Sequence, residues 1–315
     1  MPILGAHFHP TLPLRNPHVQ TLLASLLPRS APRDATQHTL ELSDGDFLSL
    51  WSVSRGFRRL AILCHGLEGS FHSPYIRGMA STLLLRGWDV LAWNYRGCGP
   101  QPNRLLRFYH SGATEDLRAV LAHAAEGYQS LALVGFSLGG NLVLKYLGEP
   151  SPHPAITSAA ALSAPIDLAS SAHALDTRPA NRLYLHRFLS TLRAKIRAKA
   201  ARFPDAISLE PLKTARSFAT FDDAYTARLH GFHNAQDYWT RCSALHFLPH
   251  LTVPTLLLNA LDDPFLATPS FPHDIARNHP ALWLETPAHG GHVGFLQHDG
   301  HLHPWSELRV AQFLS

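Results

Sequence analysis

The sequence contains little that would place it outside the ordinary globular proteins. Only three of its 315 residues are cysteines, at the widely spaced positions Cys64, Cys98 and Cys242. An odd number of distant cysteines predicts neither a disulfide framework nor a Cys-x-x-Cys site. This cysteine usage fits a reducing compartment, and we expect a cytoplasmic protein.

Long apolar runs are also missing. The run from Leu22 to Leu27 ends at Pro28 and is far shorter than the ~20 apolar residues that a membrane span needs. The first ten residues have neither the cationic start nor the apolar run of a signal peptide. We therefore expect a soluble, unprocessed chain.

The sequence also lacks a large excess of charge of either sign. Charged residues make up 16% of the chain, and the formal net charge is only +4. This balance does not favour nucleic acid as a partner. Hydrophobic residues, at 45%, are sufficient for the sizeable core of one large α/β domain.

Short apolar segments alternate with helix-compatible segments along most of the chain. Leu60–Cys64, Val90–Asn94 and Ile156–Leu162 are examples of the apolar strands. This alternation predicts an α/β fold with a mostly parallel sheet covered by helices on both faces. We count eight strands, of which the first two form a hairpin around residues 43–46.

The alternation divides the chain into four segments. Residues 1–36 are rich in proline and predict an amino-terminal arm, while 37–164 and 250–315 form the α/β core. Residues 165–249 show helical patterns without a convincing strand, which indicates an inserted helical cap. Aromatic residues of this segment are expected to form its own core, and some to line a pocket. They are Phe221, Tyr225, Phe232, Tyr238 and Trp239.

The predicted cap contains a basic run between Arg182 and Arg202. Its cationic residues are Arg182, Arg187, Arg193, Lys195, Arg197, Lys199 and Arg202. A solvated helix face is the first interpretation of such a run. Contact with an anionic substrate or with a membrane surface is the alternative. No motif that reads nucleic acid accompanies the charge.

The segment L-A-L-V-G-F-S-L-G-G-N, residues 131–141, combines an apolar strand, a G-x-S-x-G turn and a helix-compatible continuation. In this context the serine, Ser137, occupies a nucleophile elbow. Gly135 and Gly139 remove the bulk that would keep strand and helix apart. A glycine-rich turn with a chance serine is the alternative that the rest of the chain has to exclude.

A nucleophilic serine needs a base, and the base needs an acid to orient it. In this fold both follow the serine, each on a loop after a late strand. Asp262 and Asp263 come after one such strand, and we prefer Asp262 because it is closer to the strand end. His292 comes after another and is preferred to His289 because glycines around it leave room for its ring.

The oxyanion of the reaction is expected to be held by two backbone amides. These are the amide of Leu138, directly after the nucleophile, and that of Leu67 in the loop that follows His65-Gly66. His65 is predicted to be structural. His289, His292 and the later His298, His301 and His303 make a metal site conceivable. No carboxylate or cysteine stands at ligand spacing, so we expect no metal and no cofactor.

With these elements in place, the chain resembles the α/β-hydrolase superfamily and, within it, the YheT-like branch, also called AB hydrolase family 4. The motifs that carry the resemblance are N-P-H-V-Q-T from Asn16, H-G-L-E-G-S from His65, S-P-Y from Ser73, N-Y-R-G-C from Asn94, Y-H-S-G-x-T-x-D-L from Tyr109, G-F-S-L-G-G-N from Gly135, F-D-D-x-Y-T from Phe221, N-A-x-D-D-P from Asn259 and G-G-H-V-G-F from Gly290. The resemblance maps the charge-relay residues of the family onto Ser137, Asp262 and His292.

The resemblance implies a carboxylic ester hydrolase. Its expected substrates are short- or medium-chain esters or monoacylglycerol-type lipids, cleaved through an acyl-enzyme on Ser137. An acyltransferase with the same acyl-enzyme and an alcohol acceptor is one alternative. A lipid-binding protein that kept the fold and lost the chemistry is another. Lipid contact through the basic cap is a further expectation, whereas acyl chain length, leaving alcohol and oligomeric state stay open.

Overall fold

A nine-stranded sheet forms the centre of the computed structural model, which describes residues 3–315. The strands of this sheet are β1 (Ile3–Leu4), β2 (Thr36–Glu41), β3 (Phe47–Val53), β4 (Arg59–Cys64), β5 (Asp89–Asn94), β6 (Ser130–Phe136), β7 (Ile156–Leu162), β8 (Thr255–Leu258) and β9 (Leu282–Glu285). β10 (Leu296–His298) and β11 (Leu302–Pro304) form a separate hairpin.

The strand order in the sheet is β1-β9-β8-β7-β6-β4-β5-β3-β2. β2 pairs antiparallel with β3, and β3 with β5, while every other pair is parallel. The parallel strands therefore present their carboxyl ends at one edge, where the loops after β4, β6, β8 and β9 meet. In open α/β sheets this edge is where ligands bind.

The predicted mostly parallel α/β sheet is confirmed, but the count of eight strands was one too low. Ile3–Leu4 in the amino-terminal arm adds a strand beside β9, with Ile3 opposite Leu284. Two residues are too short for the alternation of a strand to appear in sequence. The β10–β11 hairpin, in a histidine-rich segment, was missed as well.

The central strands are buried on both faces, as a parallel sheet requires. Alternate residues of β4 and β6 enter two different apolar clusters. Ile62 and Leu133 belong to the first, and Leu63 and Val134 to the second. α3 and α4 cover the first face, and α2 and α11 the second. The helices are α1 (Pro17–Leu26), α2 (Pro74–Leu85), α3 (Thr114–Ala124), α4 (Leu138–Gly148), α5 (Leu168–Thr177), α6 (Arg182–Arg202), α7 (Phe218–Phe221), α8 (Ala227–Leu229), α9 (Ala235–Cys242), α10 (His273–Asn278) and α11 (Trp305–Phe313).

Between β7 and β8 the chain forms helices α5 to α9 and, within 163–254, no strand. α7 continues through a π-helical segment, Asp222–Thr226, into α8. We call residues 165–249 the helical insertion. Within the described part of the chain, no helix has both the length and the apolar character that crossing a bilayer would take.

Candidate active site

Ser137 lies at the turn between β6 and α4, with φ +52° and ψ −120°. Such a backbone costs a non-glycine residue of order 1–3 kcal/mol. The turn is close-packed, since a Cβ on Gly135 would lie 2.2 Å from the carbonyl oxygen of Gly139. A Cβ on Gly139 would lie 2.3 Å from the carbonyl oxygen of Cys64. Both positions therefore require glycine, and the strand, turn and helix form the elbow that the sequence predicts.

His292 and Asp263 extend a hydrogen-bonded chain from this serine. His292 Nε2 is 2.9 Å from Ser137 Oγ, and His292 Nδ1 is 2.9 Å and 3.1 Å from the two carboxylate oxygens of Asp263. The network assigns the proton of the neutral ring to Nδ1, which leaves Nε2 to accept from the serine hydroxyl. The Asp263 side chain is 0% exposed, so its carboxylate faces the imidazole without competing water.

The structure contradicts the preference for Asp262 as the acid. Asp262 Oδ1 accepts the backbone N–H of Gly291 at 2.9 Å, and its Oδ2 is 3.3 Å from Nδ1 of His289. The reason is a turn after β8, closed by a hydrogen bond from Asp263 N–H to the Ala260 carbonyl at 3.1 Å. This turn points the second aspartate back to the sheet edge. Burial raises the pKa of the Asp262 carboxyl.

The two residues whose amides are predicted to hold an oxyanion, Leu67 and Leu138, both line the same pocket as Ser137. The backbone amides on either side of Leu67 already have hydrogen-bond acceptors. Gly66 N–H donates to Tyr75 Oη at 3.0 Å, and Glu68 N–H donates to Tyr109 Oη at 2.9 Å. Within residues 3–315, the amides of Leu67 and Leu138 have no hydrogen-bond partner. They are therefore free to donate to a bound carbonyl oxygen.

His65, beside this loop, is fully buried. Burial lowers the pKa of its imidazole to about 3. Nδ1 lies 2.7 Å from the carbonyl oxygen of Gly66, and Nε2 accepts the N–H of Tyr95 at 3.3 Å. A neutral ring with both nitrogens engaged shapes the loop and has no nitrogen left to act as a second base.

An ion pair that the sequence did not reveal supports the Leu67 loop from the helical insertion. Lys195 Nζ on α6 lies 2.5 Å from Glu68 Oε1, which also accepts from Tyr109 Oη at 2.7 Å. The same ammonium is 3.3 Å from Cys98 Sγ, while burial raises the pKa of that thiol to about 12. Cys98 is thus a packed, protonated side chain. In the sequence Lys195 is part of a basic run, and such a run predicts a side chain exposed to solvent and not an ion pair.

Arg96, in the loop after β5, lies in a packed turn. Its guanidinium contacts Asp116 at 2.7 Å, Asp44 at 2.7 Å and Asp46 at 3.1 Å. Asp116 and Asp46 are themselves buried. This ion cluster fixes the loop after β5 to the β2–β3 hairpin and does not line the pocket.

A pocket of about 810 Å³, open solvent at its mouth included, is bordered by Ser137, Leu138 and His292. More than half of the lining residues belong to the helical insertion, and most of these have apolar side chains. They include Leu168, Ala172, Leu175, Phe188, Leu192 and Phe218. Tyr238 and Trp239 also line it, as expected for some of the cap aromatics. Phe221 and Tyr225, whose ring centroids are 5.4 Å apart, pack on each other in the core.

One carboxyl borders this apolar pocket. Asp222, in the π-helical segment, accepts hydrogen bonds from Thr226 Oγ1 at 2.7 Å and from Trp239 Nε1 at 2.9 Å. Burial raises its pKa to about 6. Among the described residues it forms no ion pair. Asp222 thus ties α9 to the pocket wall through neutral donors.

Three residues of the β10–β11 hairpin are arranged so that they can hold a metal ion. Candidate ligand atoms of Asp299, His301 and His303 lie within 4.8 Å of one another. Of the histidines considered from sequence, His301 and His303 are thus brought together with an aspartate. The three residues are not part of the pocket wall.

A serine elbow after β6, followed by an aspartate after β8 and a histidine after β9, is the arrangement of an α/β hydrolase. A family model described as the alpha/beta hydrolase fold matches residues 61–299. The chain is 36% identical to the putative esterase YheT of Escherichia coli (strain K12), over 99% of this chain and 94% of that one. It is 29% identical to the phospholipase ABHD3 of Mus musculus, over 94% of this chain and 75% of that one.

Among solved structures, the esterase PF2001 of Pyrococcus furiosus matches with a TM-score of 0.59 at 17% identity, over 91% of this chain and 96% of that one. At this identity the match shows the fold alone. The chain belongs to the α/β-hydrolase fold family and to its YheT-like branch, which confirms the predicted fold class and family. The names of these relatives agree with the predicted enzyme class, a carboxylic ester hydrolase.

Proposed function

We propose that the protein hydrolyses carboxylic acyl esters through an acyl-enzyme on Ser137. The observation that carries the proposal is the chain of hydrogen bonds from Ser137 through His292 to Asp263, at the border of a largely apolar pocket. Serine, imidazole and buried carboxylate in this order are the parts of a charge-relay nucleophile.

In the first half-reaction His292 Nε2 takes the proton of Ser137 as Oγ attacks the ester carbonyl carbon. The amides of Leu67 and Leu138 donate to the oxygen that becomes negative. His292 then returns the proton to the leaving alcohol, and the acyl group stays on Ser137. In the second half-reaction His292 takes a proton from water as the water attacks the acyl carbon, and it returns this proton to Ser137 Oγ as the acid leaves. Asp263 stabilises the imidazolium in both.

The pocket supports esters with an apolar acyl group as the substrate class. Its wall is built by leucine, alanine and phenylalanine side chains of the helical insertion, and apolar walls favour an aliphatic chain. We therefore infer that the insertion, residues 165–249, acts as a cap over the acyl group. Short- to medium-chain esters and monoacylglycerol-type lipids fit this description, and the relatives named esterase and phospholipase support it.

Hydrolysis of a p-nitrophenyl ester series, from acetate to palmitate, tests this function. Ser137→Ala is expected to lower kcat by about 10³-fold or more, and a fluorophosphonate probe is expected to label the wild type and not the variant. The preferred ester then sizes the pocket. Equal rates of wild type and Ser137→Ala on every ester would overturn the proposal. Retained lipid binding would in that case favour a non-catalytic lipid-binding protein. Acyl transfer to an added alcohol by the wild type and not by Ser137→Ala would instead identify an acyltransferase.

We also propose that the outer face of α6 contacts an anionic lipid surface. The basic run contains cations that bind other parts of the chain, Arg193 and Lys199 among them, and cations that do not. Lys195 pairs with Glu68, and Arg202 donates to the Asn103 carbonyl at 2.7 Å, so these cations bind the core instead of forming the solvated face first expected. The outer group is exposed and makes no ion pair within residues 3–315; it comprises Arg182, Arg187 and Arg197. Clustered unpaired cations attract anionic head groups.

A further inference from the structure

Helix α1, in the amino-terminal arm, lies directly against the loop that carries His292. The backbone N–H of His292 donates to Thr21 Oγ1 at 2.9 Å, across 271 positions of sequence. The Thr21 hydroxyl in turn donates to the carbonyl oxygen of Pro17 at 2.7 Å, so its direction is fixed by its own helix. The hydroxyl thus holds the residue that carries the proposed base.

A second α1 side chain fastens the end of the same loop. The Gln20 amide is 0% exposed and pairs with both backbone groups of Leu296. Its Oε1 accepts the Leu296 N–H at 2.6 Å, and its Nε2 donates to the Leu296 carbonyl at 3.0 Å. Nε2 also donates to the carbonyl of Leu14 at 2.7 Å. All these polar groups are buried and satisfied, which makes the contact costly to break.

Around these two attachments the loop approaches the helix too closely for side chains at two positions, Gly291 and Gly294. A Cβ on Gly291 would lie 2.4 Å from the Pro17 carbonyl oxygen, and one on Gly294 would lie 2.9 Å from the Gln20 carbonyl oxygen. Val293, directly after His292, has φ +55°. Such strained backbone persists only where its surroundings fix it. Here α1 holds the residues on either side, and the Val293 N–H itself donates to Ser163 Oγ at 2.9 Å.

The imidazole ring is also supported from the side through a short series of aromatic contacts. The His292 ring centroid is 4.2 Å from that of Phe265, which is 4.8 Å from that of Tyr184 on α6. Tyr184 Oη is 3.1 Å from His18 Nδ1 on α1. Helix α1 therefore reaches His292 both through its backbone and through its ring.

We propose that Thr21 and Gln20 are positioning residues for the reaction, which keep the His292 loop at the distance where Nε2 meets Ser137 Oγ. This inference rests on the proposed ester hydrolysis. A base displaced by about 1 Å costs on the order of 10²-fold in rate. The residues of the N-P-H-V-Q-T motif then have two roles. Asn16 caps α1, because its Oδ1 accepts the His18 N–H at 2.9 Å. Gln20 and Thr21 position the His292 loop.

The experiment compares Thr21→Val, which has the same shape without the hydroxyl, with Thr21→Ser, which keeps it. Ser25→Ala is the matched control, because the exposed Ser25 hydroxyl bonds only its own helix, at the Leu22 carbonyl, 2.7 Å away. We expect Thr21→Val to lower kcat about 10- to 100-fold with KM changed by no more than about threefold. The rate of fluorophosphonate labelling at Ser137 is expected to fall with kcat. Thr21→Ser and Ser25→Ala are expected to stay within about threefold of wild type in kcat.

Three results would overturn the inference. One is an unchanged kcat in Thr21→Val, and another is an equal loss in Thr21→Val and Thr21→Ser. The third is a loss that appears in KM alone. Thermal unfolding establishes that each variant is folded at the assay temperature, and Thr21→Ala replaces the valine variant if that one is insoluble. Ser137→Ala separates the two proposals: if it is as active as wild type, the ester hydrolase mechanism fails, whereas a fully active Thr21→Val beside an inactive Ser137→Ala refutes the positioning role only.

Discussion

Replacing Asp263 by asparagine removes the charge that faces His292 and leaves the size of the side chain unchanged. The carboxylate oxygens lie 2.9 Å and 3.1 Å from Nδ1, in a side chain with no exposed surface. The amide cannot stabilise an imidazolium by charge. It can also turn its NH₂ group towards Nδ1, which would place the ring proton on Nε2, where the serine hydroxyl needs an acceptor.

The magnitude follows from the geometry. At an effective dielectric constant of about 20, two unit charges about 4 Å apart attract each other by about 4 kcal/mol. Each 1.36 kcal/mol is about a factor of ten in rate, so the loss of charge alone is worth about 10³-fold in kcat. The wrong tautomer adds to this, and we expect a total loss of about 10³–10⁴-fold.

Asp262→Asn is the matched control at the neighbouring position. Its amide oxygen can still accept the N–H of Gly291, now 2.9 Å from Asp262 Oδ1, and we expect less than about a tenfold loss. The assay is steady-state hydrolysis of one p-nitrophenyl ester by wild type and both variants at the same pH. A larger loss in Asp262→Asn than in Asp263→Asn, or more than about a tenth of the activity retained by Asp263→Asn, would refute the assignment.

The raised pKa of Asp222 leads us to expect that the stability of the folded protein depends on pH. Burial raises the pKa of the Asp222 carboxyl from 3.8 to about 6, so the folded state holds a proton that the unfolded state releases. Relative to Asp222→Asn, the Tm of the wild type should fall as the pH rises from about 4 to about 6 and level off above that, whereas a constant Tm difference would contradict the burial argument. For the outer face of α6, wild type should sediment with phosphatidylcholine vesicles that contain phosphatidylglycerol more than with pure phosphatidylcholine vesicles. Neutralising Arg182, Arg187 and Arg197 to glutamine should remove this preference, and an unchanged preference would count against the lipid contact.

The strands, the elbow and the chain order of the serine, the aspartate and the histidine could be predicted from sequence because each depends on local patterns. β7, for example, has the bounds Ile156–Leu162 that its sequence predicts. The Gly-x-Ser-x-Gly pattern specifies its own turn, since Gly135 and Gly139 meet backbone atoms within a few residues or on the adjacent strand. Steric requirements of this local kind can be recognised from the sequence alone.

The choice between the two aspartates could not be predicted, because it depends on a turn. Distance from the strand end along the chain favoured Asp262, but the hydrogen bond between Asp263 and Ala260 reverses the chain in between. Asp263 also bonds nearby backbone. Its Oδ1 accepts the Phe265 N–H at 2.9 Å, and the same carboxylate also faces His292.

The contacts of the basic run and of the amino-terminal arm could not be predicted from the sequence either. Lysine in a charged helix usually faces water, yet Lys195 reaches Glu68 because the loop after β4 lies beneath α6. Nothing in the sequence around Gln20 and Thr21 indicates that these residues bind a distant part of the chain. Their roles depend on contacts across more than 270 positions, which no local pattern reports.

The bond between Thr21 and His292 also constrains the order in which the molecule matures. It joins the first tenth of the chain to the last, and contacts of such sequence separation form late because a long loop must close first. Ser137 and its elbow, by contrast, need only their neighbouring strands. On the mechanism proposed above, the Ser137 elbow can therefore form on a ribosome-bound chain before His292, its proposed base, has been synthesised, and the pairing of the two residues is one of the last steps of folding.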